Sequence, residues 1–261
     1  MCRHLVYLGA PDSPAELLLR APHSLLRQSH APHDMRCGGT VNVDGFGLGW
    51  YTSEGTPVRY RRTGPLWADE SVPGLADSVR TTAFLAAVRS GTPGMPVSEA
   101  TCAPFRSDRW LFSHNGVVTG WPDSVAGLAE KLPVTDLLRL EAPTDSALLW
   151  ALLRDRLRGG QEPLAAVTGL VAEVARAAPG SRLNLLLTDG ERAVATAWTH
   201  ALSVRHTPDG VVVASEPCDG EPGWTAVPEG RALLVRRRGG IVTVETHPID
   251  PADAEGSTAP S

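Results

Sequence analysis

Met1-Cys2-Arg3-His4-Leu5-Val6-Tyr7-Leu8 opens the chain, and the meaning of the rest turns on it. Arg3 to Leu8 reads as a short strand closed by Gly9-Ala10-Pro11, with a cysteine directly in front of it. If the initiator methionine is removed, Cys2 carries a thiol and a free α-amine on one carbon. Methionine aminopeptidases act when the second side chain is small, and cysteine qualifies. An α-amine titrates near ~7.7–8.0 and a free thiol near ~8.5, so one residue supplies a nucleophile and a base poised near neutral pH. Acyl transfer needs that pair. A cysteine at position 2 is equally compatible with no role at all, unless the chain also provides an oxyanion hole and a substrate clamp.

Working outward, Ser13-Pro14-Ala15-Glu16 carries the signature of a helix start, with Ser13 as cap and Glu16 completing a capping box. Ser29 to Val43 is rich in His, Pro, Gly and Asp and reads as a long loop of the functional kind. In Asp44-Gly45-Phe46-Gly47-Leu48-Gly49-Trp50-Tyr51 three glycines at alternate positions bare one face of a strand. A ligand or another backbone can then approach closely, and the spacing is not that of a dinucleotide fingerprint. Val58 to Arg62 continues as a strand with alternating exposed basic residues, and Ala68 to Thr81 looks helical.

Phe84 to Val88 is an apolar strand that ends in Arg89. A planar guanidinium at such a strand end suits a carboxylate; a structural ion pair is the other use, and the residues leave both open. Arg109 to Phe112 is a further strand running into Ser113-His114-Asn115-Gly116. Asn-Gly commonly marks a tight hairpin turn. The alternative is a pair of donors, the Asn115 amide and the Gly116 N–H, forming an oxyanion hole. Thr144-Asp145-Ser146 starts the best helix of the chain, running to about Arg158, with Thr144 as cap and Asp145 in the first turn. A second helix spans about Pro163 to Ala178.

The last third is β-rich. Asp189-Gly190 joins Arg182–Thr188 to a strand from Arg192 to His200; Ala201–Arg205 pairs with Val211–Ser215; and Leu233–Arg237 pairs with Ile241–Glu245. Residues 251–261 read as a disordered tail. No internal repeat or interdomain linker stands out, so residues 2–250 are expected to form one domain.

Composition removes several functions. A net charge of −5 over 261 residues argues against a nucleic-acid partner, and the run Arg236-Arg237-Arg238 reads as the polar end of a hairpin. The cysteines at 2, 37, 102 and 218 lack metal-ligand and disulfide-framework spacing. No stretch approaches the ~20 apolar residues of a membrane span. A reducing cytoplasm, where Cys2 stays a thiol, is the expected location.

Cys2, a strand ending in Arg89, His114-Asn115-Gly116 and Thr144-Asp145-Ser146, in that order, resemble the class II glutamine amidotransferase family of N-terminal-nucleophile hydrolases. The resemblance implies an α+β fold, a four-layer αββα sandwich of two packed, mainly antiparallel sheets. It also implies Cys2 as nucleophile with its own α-amine as base, and Asn115 and Gly116 as the oxyanion hole. Arg89 would hold the α-carboxylate and Asp145 the α-ammonium of a γ-glutamyl group; His114 lines the same region, with a structural role expected. No cofactor and no metal are implied. Thr101-Cys102-Ala103-Pro104-Phe105 and Arg89-Ser90-Gly91-Thr92 depart from the family's commoner Asn-Cys-His-Pro-Phe and Arg-Trp-Ala-Thr.

Further motifs are similar to the branch of that family serving ergothioneine biosynthesis: Cys2-Arg3-His4-Leu5, Ala21-Pro22-His23-Ser24-Leu25, Asn42-Val43-Asp44-Gly45-Phe46-Gly47, and Trp110 through Gly116. This implies an amidohydrolase that cleaves γ-glutamyl-hercynylcysteine S-oxide to glutamate and hercynylcysteine S-oxide through a Cys2 thioester. Its leaving group carries a trimethylammonium, which aromatic faces attract, so Trp50 and Trp67 become candidate contacts. The competing function is a glutaminase subunit that delivers ammonia to a separate synthase. A small-molecule γ-glutamyl substrate is the expected partner; a monomer and a homo-oligomer both remain open.

Overall fold

Alternating burial dictates the core. In the computed structural model, which describes residues 2–36, 38, 41–92 and 94–250, β1 (Arg3–Asp12) is buried on both faces. Leu5 and Tyr7 point one way, and Val6 and Leu8 the other, as the period of a strand requires. After α1 (Leu25–Gln28) come β2 (Phe46–Tyr51), β3 (Pro57–Arg62), α2 (Val72–Ser78) and β4 (Thr81–Val88). Next are β5 (Phe105–Ser107), β6 (Trp110–Val117), α3 (Ala126–Ala129), α4 (Val134–Leu138), α5 (Asp145–Arg158) and α6 (Pro163–Ala177). The chain ends in β7 (Arg182–Thr188), β8 (Arg192–Ala197), β9 (Ser203–Thr207), β10 (Gly210–Ala214), β11 (Thr225–Ala226), β12 (Arg231–Arg238) and β13 (Ile241–Pro248).

Two antiparallel sheets form, one of seven strands ordered β11-β9-β10-β1-β4-β2-β3 and one of six ordered β13-β12-β8-β7-β6-β5. Val6, Leu8, Leu85, Leu111, Leu186 and Val213 fill the space between them. Leu148, Leu152, Val167 and Leu170 of α5 and α6 cover the outer face of the six-stranded sheet. Leu18, Leu25, Val72 and Ala76 cover the outer face of the other. The order helix, sheet, sheet, helix is the expected αββα sandwich, with β1 near the middle of its sheet. No helix among the described residues is long and apolar enough to cross a membrane. The tail at 251–261, Met1 and Cys37 lie outside the described residues.

Local expectations fare unevenly. Thr144 caps α5 by accepting from Ala147 N at 3.2 Å, and the final hairpin turns at Gly239-Gly240, both at positive φ, the backbone a two-residue turn demands. Asn115-Gly116 is not a turn: β6 runs straight through it in register with β7, Asn115 opposite Asn184 and Gly116 opposite Leu183. The sheet ladder overrides the local turn preference, and the chain reverses later, near Gly120 (φ 71°). Glu16–Arg20 is a single wide turn, and the Ser13 hydroxyl donates to Ala76 O instead of capping a longer helix. The helix expected over 68–81 shrinks to α2, because Asp69 starts it by accepting from Ser71 and Val72 N–H groups and Thr81 is drawn into β4.

Arg59 and Arg61 are not exposed as expected; both clamp Glu141 at 3.0 Å and donate to Pro104 O and Cys102 O. They share a sheet face with Gly47 and Gly49, which pair with them across β2–β3. A Cβ on Gly47 would sit 2.2 Å from the Ala103 carbonyl oxygen. The bare glycine face therefore admits the backbone of residues 102–104, pinned by the two arginines. Gly47→Ala should destabilise by about 1–3 kcal/mol through overpacking. Gly74→Ala, in α2 with open space around it, should be neutral or stabilising by about 0.5–1 kcal/mol. Urea unfolding of both variants checks the contrast.

Candidate active site

A residue in front of the first strand is held from its sides. β1 lies between β10 and β4, with Leu5 opposite Ala214 and Arg3 opposite Val88. Arg89-Ser90 therefore flanks Cys2 on one side, while Ser215-Glu216 flanks His4 and Arg3 on the other. The Cys2 thiol is half-buried, 3.7 Å from Ser90 O. It shares the phase of Val6 and Leu8 and so faces the six-stranded sheet.

On that side a narrow cavity is lined by Cys2, Val88 and Arg89 from one sheet and Ser113, His114 and Ser146 from the other layers, with Thr101 and Ala103 beside them. The Arg89 guanidinium donates to the carbonyls of Asp44 (3.5 Å) and Pro96 (3.2 Å). Among the described residues no carboxylate forms an ion pair with it, so of its two uses the structural ion pair is absent. Asp44 instead accepts from Gly91 N at 2.7 Å and shapes the turn after Arg89.

β5 pairs with Trp110–Phe112 alone, which leaves one edge of Ser113–Val117 without a strand partner among the described residues. Asn115 is buried between the sheets; one amide N–H reaches Ser215 Oγ at 3.4 Å, and Oδ1 has no protein partner. Asn115, Gly116 and Asp145 are not among the residues that line the cavity; their neighbours Ser113, His114 and Ser146 are. A side chain at Gly116 would meet Arg182 O at 1.8 Å, so the strand contact itself demands glycine there. Asp145 is buried at the start of α5. It accepts from Ser146 N (2.7 Å) and Val118 N (3.0 Å), and a carboxylate has acceptor sites left over. His114 bridges Arg182 O (2.9 Å) and Ser146 Oγ (3.0 Å). A carbonyl can only accept, so Nε2 carries the proton there and Nδ1 takes the serine hydroxyl. Both nitrogens are spent on tying β6 to β7 and α5.

Trp50 and Trp67 are not brought to this cavity. Trp50 packs on the outer, helix-covered face of its sheet, and Trp67 is exposed, edge-on to His30.

Sequence reasoning missed the groups that hold the strand end. Ser215 Oγ accepts from His4 N (3.0 Å) and donates to His4 O (3.2 Å). His4 Nδ1 meets Ser113 Oγ at 3.1 Å. Arg3 pairs with Glu216 at 2.8 Å, both buried, and Glu216 also takes His23 Nε2 (2.7 Å) and His33 N (2.8 Å). The legible signal was a Ser-Glu pair directly after an apolar strand. Burial opposes ionisation of Glu216, but His23, Arg3 and the His33 N–H outweigh it and hold its carboxyl below the usual range. His23, His33 and Glu216 also bring three ligand-type atoms within 4.8 Å. The acid is already saturated by donors and the two imidazoles stack at 3.8 Å, so the cluster is satisfied as a hydrogen-bond network.

Burial, then His114, His200 and Arg3, pushes His4 down to about 3; burial, then Arg182 and Arg3, does the same to His200. Burial pushes the Cys102 thiol up, and the Cys218 thiol to about 12. Of the described cysteines, Cys2 alone is not fully buried.

The fold is that of a class II amidotransferase-type domain. Residues 29–210 match the family model for class II glutamine amidotransferases, and the chain belongs to that family. It is 42% identical over 93% of its length to the γ-glutamyl-hercynylcysteine sulfoxide hydrolase of Mycolicibacterium smegmatis, 99% of which is covered. It is 37% identical to the enzyme of the same name from Mycobacterium tuberculosis, over 93% of this chain and 96% of that one. A class-II glutamine aminotransferase domain protein from Silicibacter pomeroyi superposes with a TM-score of 0.67 at 24% identity, covering 96% of this chain and all of that one.

Because His4 is held neutral, the unfolded chain binds more protons wherever the pH lies between about 3 and the ordinary 6.5. Stability should therefore fall as the pH drops below 6.5, by about 2 kcal/mol at pH 5 for one such histidine. His4→Asn should remove that share of the slope, as read from unfolding free energies between pH 8 and pH 5.

Proposed function

We propose that this chain is a γ-glutamyl amidohydrolase acting on γ-glutamyl-hercynylcysteine sulfoxide, with Cys2 as nucleophile after removal of Met1. The observation that carries it is the half-buried Cys2 thiol at the head of β1, opening onto a cavity whose Arg89 has no acidic partner among the described residues. Near-full-length similarity to two hydrolases of that name supports the substrate.

In this reading Arg89 binds the α-carboxylate of the glutamyl head and Asp145 its α-ammonium, fixing the γ-carbonyl against the thiol. The α-amine of Cys2 takes the thiol proton, and sulfur bonds to the carbonyl carbon. The oxyanion is met by the Asn115 amide and the Gly116 N–H. Collapse breaks the C–N bond, the proton passes to the leaving amine, and a γ-glutamyl thioester remains. Water adds to it, the thiolate leaves and glutamate is released. His114 braces β6 and takes no part in proton transfer. The free thiols of Cys2, Cys102 and Cys218 support action in a reducing, cytoplasmic compartment.

The competing reading is a glutaminase subunit feeding a synthase, which family membership alone would also fit. It requires free glutamine to be hydrolysed at least as efficiently as the sulfoxide, and a partner to stimulate it. Cys2→Ala should abolish turnover while retaining binding. Asn115→Ala should lower kcat roughly 10²–10³-fold, the loss expected for one oxyanion donor, with little change in KM. Steady-state kinetics decide; a pure KM effect would remove Asn115 from the oxyanion hole. A glutamine-analogue diazoketone should add once, at Cys2, with Cys102 and Cys218 unmodified; an adduct mapped by mass to either buried thiol would contradict the assignment.

A further inference from the structure

A second, larger cavity of about 420 Å³ lies beyond the segment that follows β10 beside the start of β1, lined by the loop His33–Arg36, by Ala201–Ser203 and by Ser215–Pro217, with Ala226 and Val227 at its side. Its wall is tied to the nucleophile's strand. Ser215 holds His4 N at 3.0 Å, and the Arg3 guanidinium donates both to the Asp34 carbonyl and, at 3.2 Å, to Cys2 O. The Arg89 cavity and this one thus meet the start of β1 from opposite sides. The first is narrow and cationic; the second falls within the ~300–1,000 Å³ of small-molecule sites.

We infer that this second cavity is the leaving-group site, taking a zwitterionic amine that bears a quaternary ammonium and a carboxylate. The inference rests on the amidohydrolase reading above. An acyl group held at Arg89 with its carbonyl at Cys2 projects its amine away from Arg89, and Ser215–Pro217 stand on the side of β1 opposite Arg89. Ammonia would need no space of this size. The lining carries both signs on one rim: the Asp34 carboxylate and the Arg36 guanidinium, paired at 2.8 Å and partly exposed. Glu216, also in the wall, is committed to Arg3 and His23. A trimethylammonium donates no hydrogen bond and needs a carboxylate at contact range beside apolar surface, which Asp34 offers next to Met35, Leu202 and Val227. Arg36 offers the fork that suits a carboxylate. The pair would open and re-form around the ligand, exchanging one ion pair for two.

The test compares two γ-glutamyl amides, the hercynylcysteine sulfoxide and p-nitroanilide, whose leaving amine is uncharged. Variants Asp34→Asn, Arg36→Ala and Ala226→Trp, the last narrowing the cavity from an exposed position, are assayed on both. The ratio of kcat/KM values, sulfoxide over nitroanilide, should fall roughly tenfold or more in each, the discrimination one lost charged contact supplies. A ratio unchanged in all three, with the wild type active on the sulfoxide, overturns the cavity assignment and leaves the hydrolase reading standing. A wild type that cleaves the nitroanilide but not the sulfoxide overturns both. Because each variant is read as a ratio, a general loss of folded protein cancels.

Discussion

The hydrogen bonds of Ser215 and Glu216 to His4 and Arg3 are the constraint on which the site depends. A nucleophile that must sit at a chain end has no preceding residues to hold it, so lateral contacts have to fix its position. Ser215 closes a ring with the backbone of His4 and reaches Asn115 across the sheets. One hydroxyl thus sets the spacing between β1, at whose head the proposed nucleophile sits, and Asn115. The Arg3–Glu216 pair does the same from the outer face. A buried ion pair is costly to desolvate, and this one is offset by the added donors of His23 and His33. Its use is registry: a slip of one residue would turn Cys2 away from the inter-sheet space.

The architecture was legible because its signals are periodic. Leu5, Val6, Tyr7 and Leu8 alternate between two buried faces, and Thr144-Asp145 announces α5 by capping chemistry that is local in sequence. Asn115-Gly116 shows the limit of such signals. The dipeptide favours a turn in isolation, and pairing with residues 183 and 184, nearly seventy positions away, makes it strand. The same limit hid Arg59 and Arg61, whose alternation suggested solvent until Glu141 arrived from a distant loop to pair with them.

For the site, the residues proposed to act on the substrate were easier to find than those that hold them. Cys2, Arg89 and Asp145 each stand where a strand or helix begins or ends, and such termini are visible in the sequence; Asn115 lies within β6 and was marked by its Asn-Gly dipeptide. The positioning groups Ser215, Glu216, His23 and His4 are brought together by sheet order, β10 beside β1, and sheet order cannot be read from spacing. Trp50 and Trp67 fail to reach the cavity for other reasons: Trp67 is exposed on a short turn outside the sheets. Trp50 is one residue out of phase with the glycine face, so its ring turns toward the helices.

The origin of the base follows from which groups are already occupied. His4 belongs to the strand that Cys2 heads, but burial holds it near a pKa of 3, too weak a base to take a proton at neutral pH. His200 is held down in the same way. His114 has both nitrogens committed to Arg182 O and Ser146, and Asp145 is engaged by two backbone N–H groups. Arg89 cannot accept a proton at all. Among the described residues around the cavity, none is therefore placed to deprotonate Cys2. This favours, for the reaction proposed above, a base supplied by Cys2 itself, as the α-amine that removal of Met1 would expose.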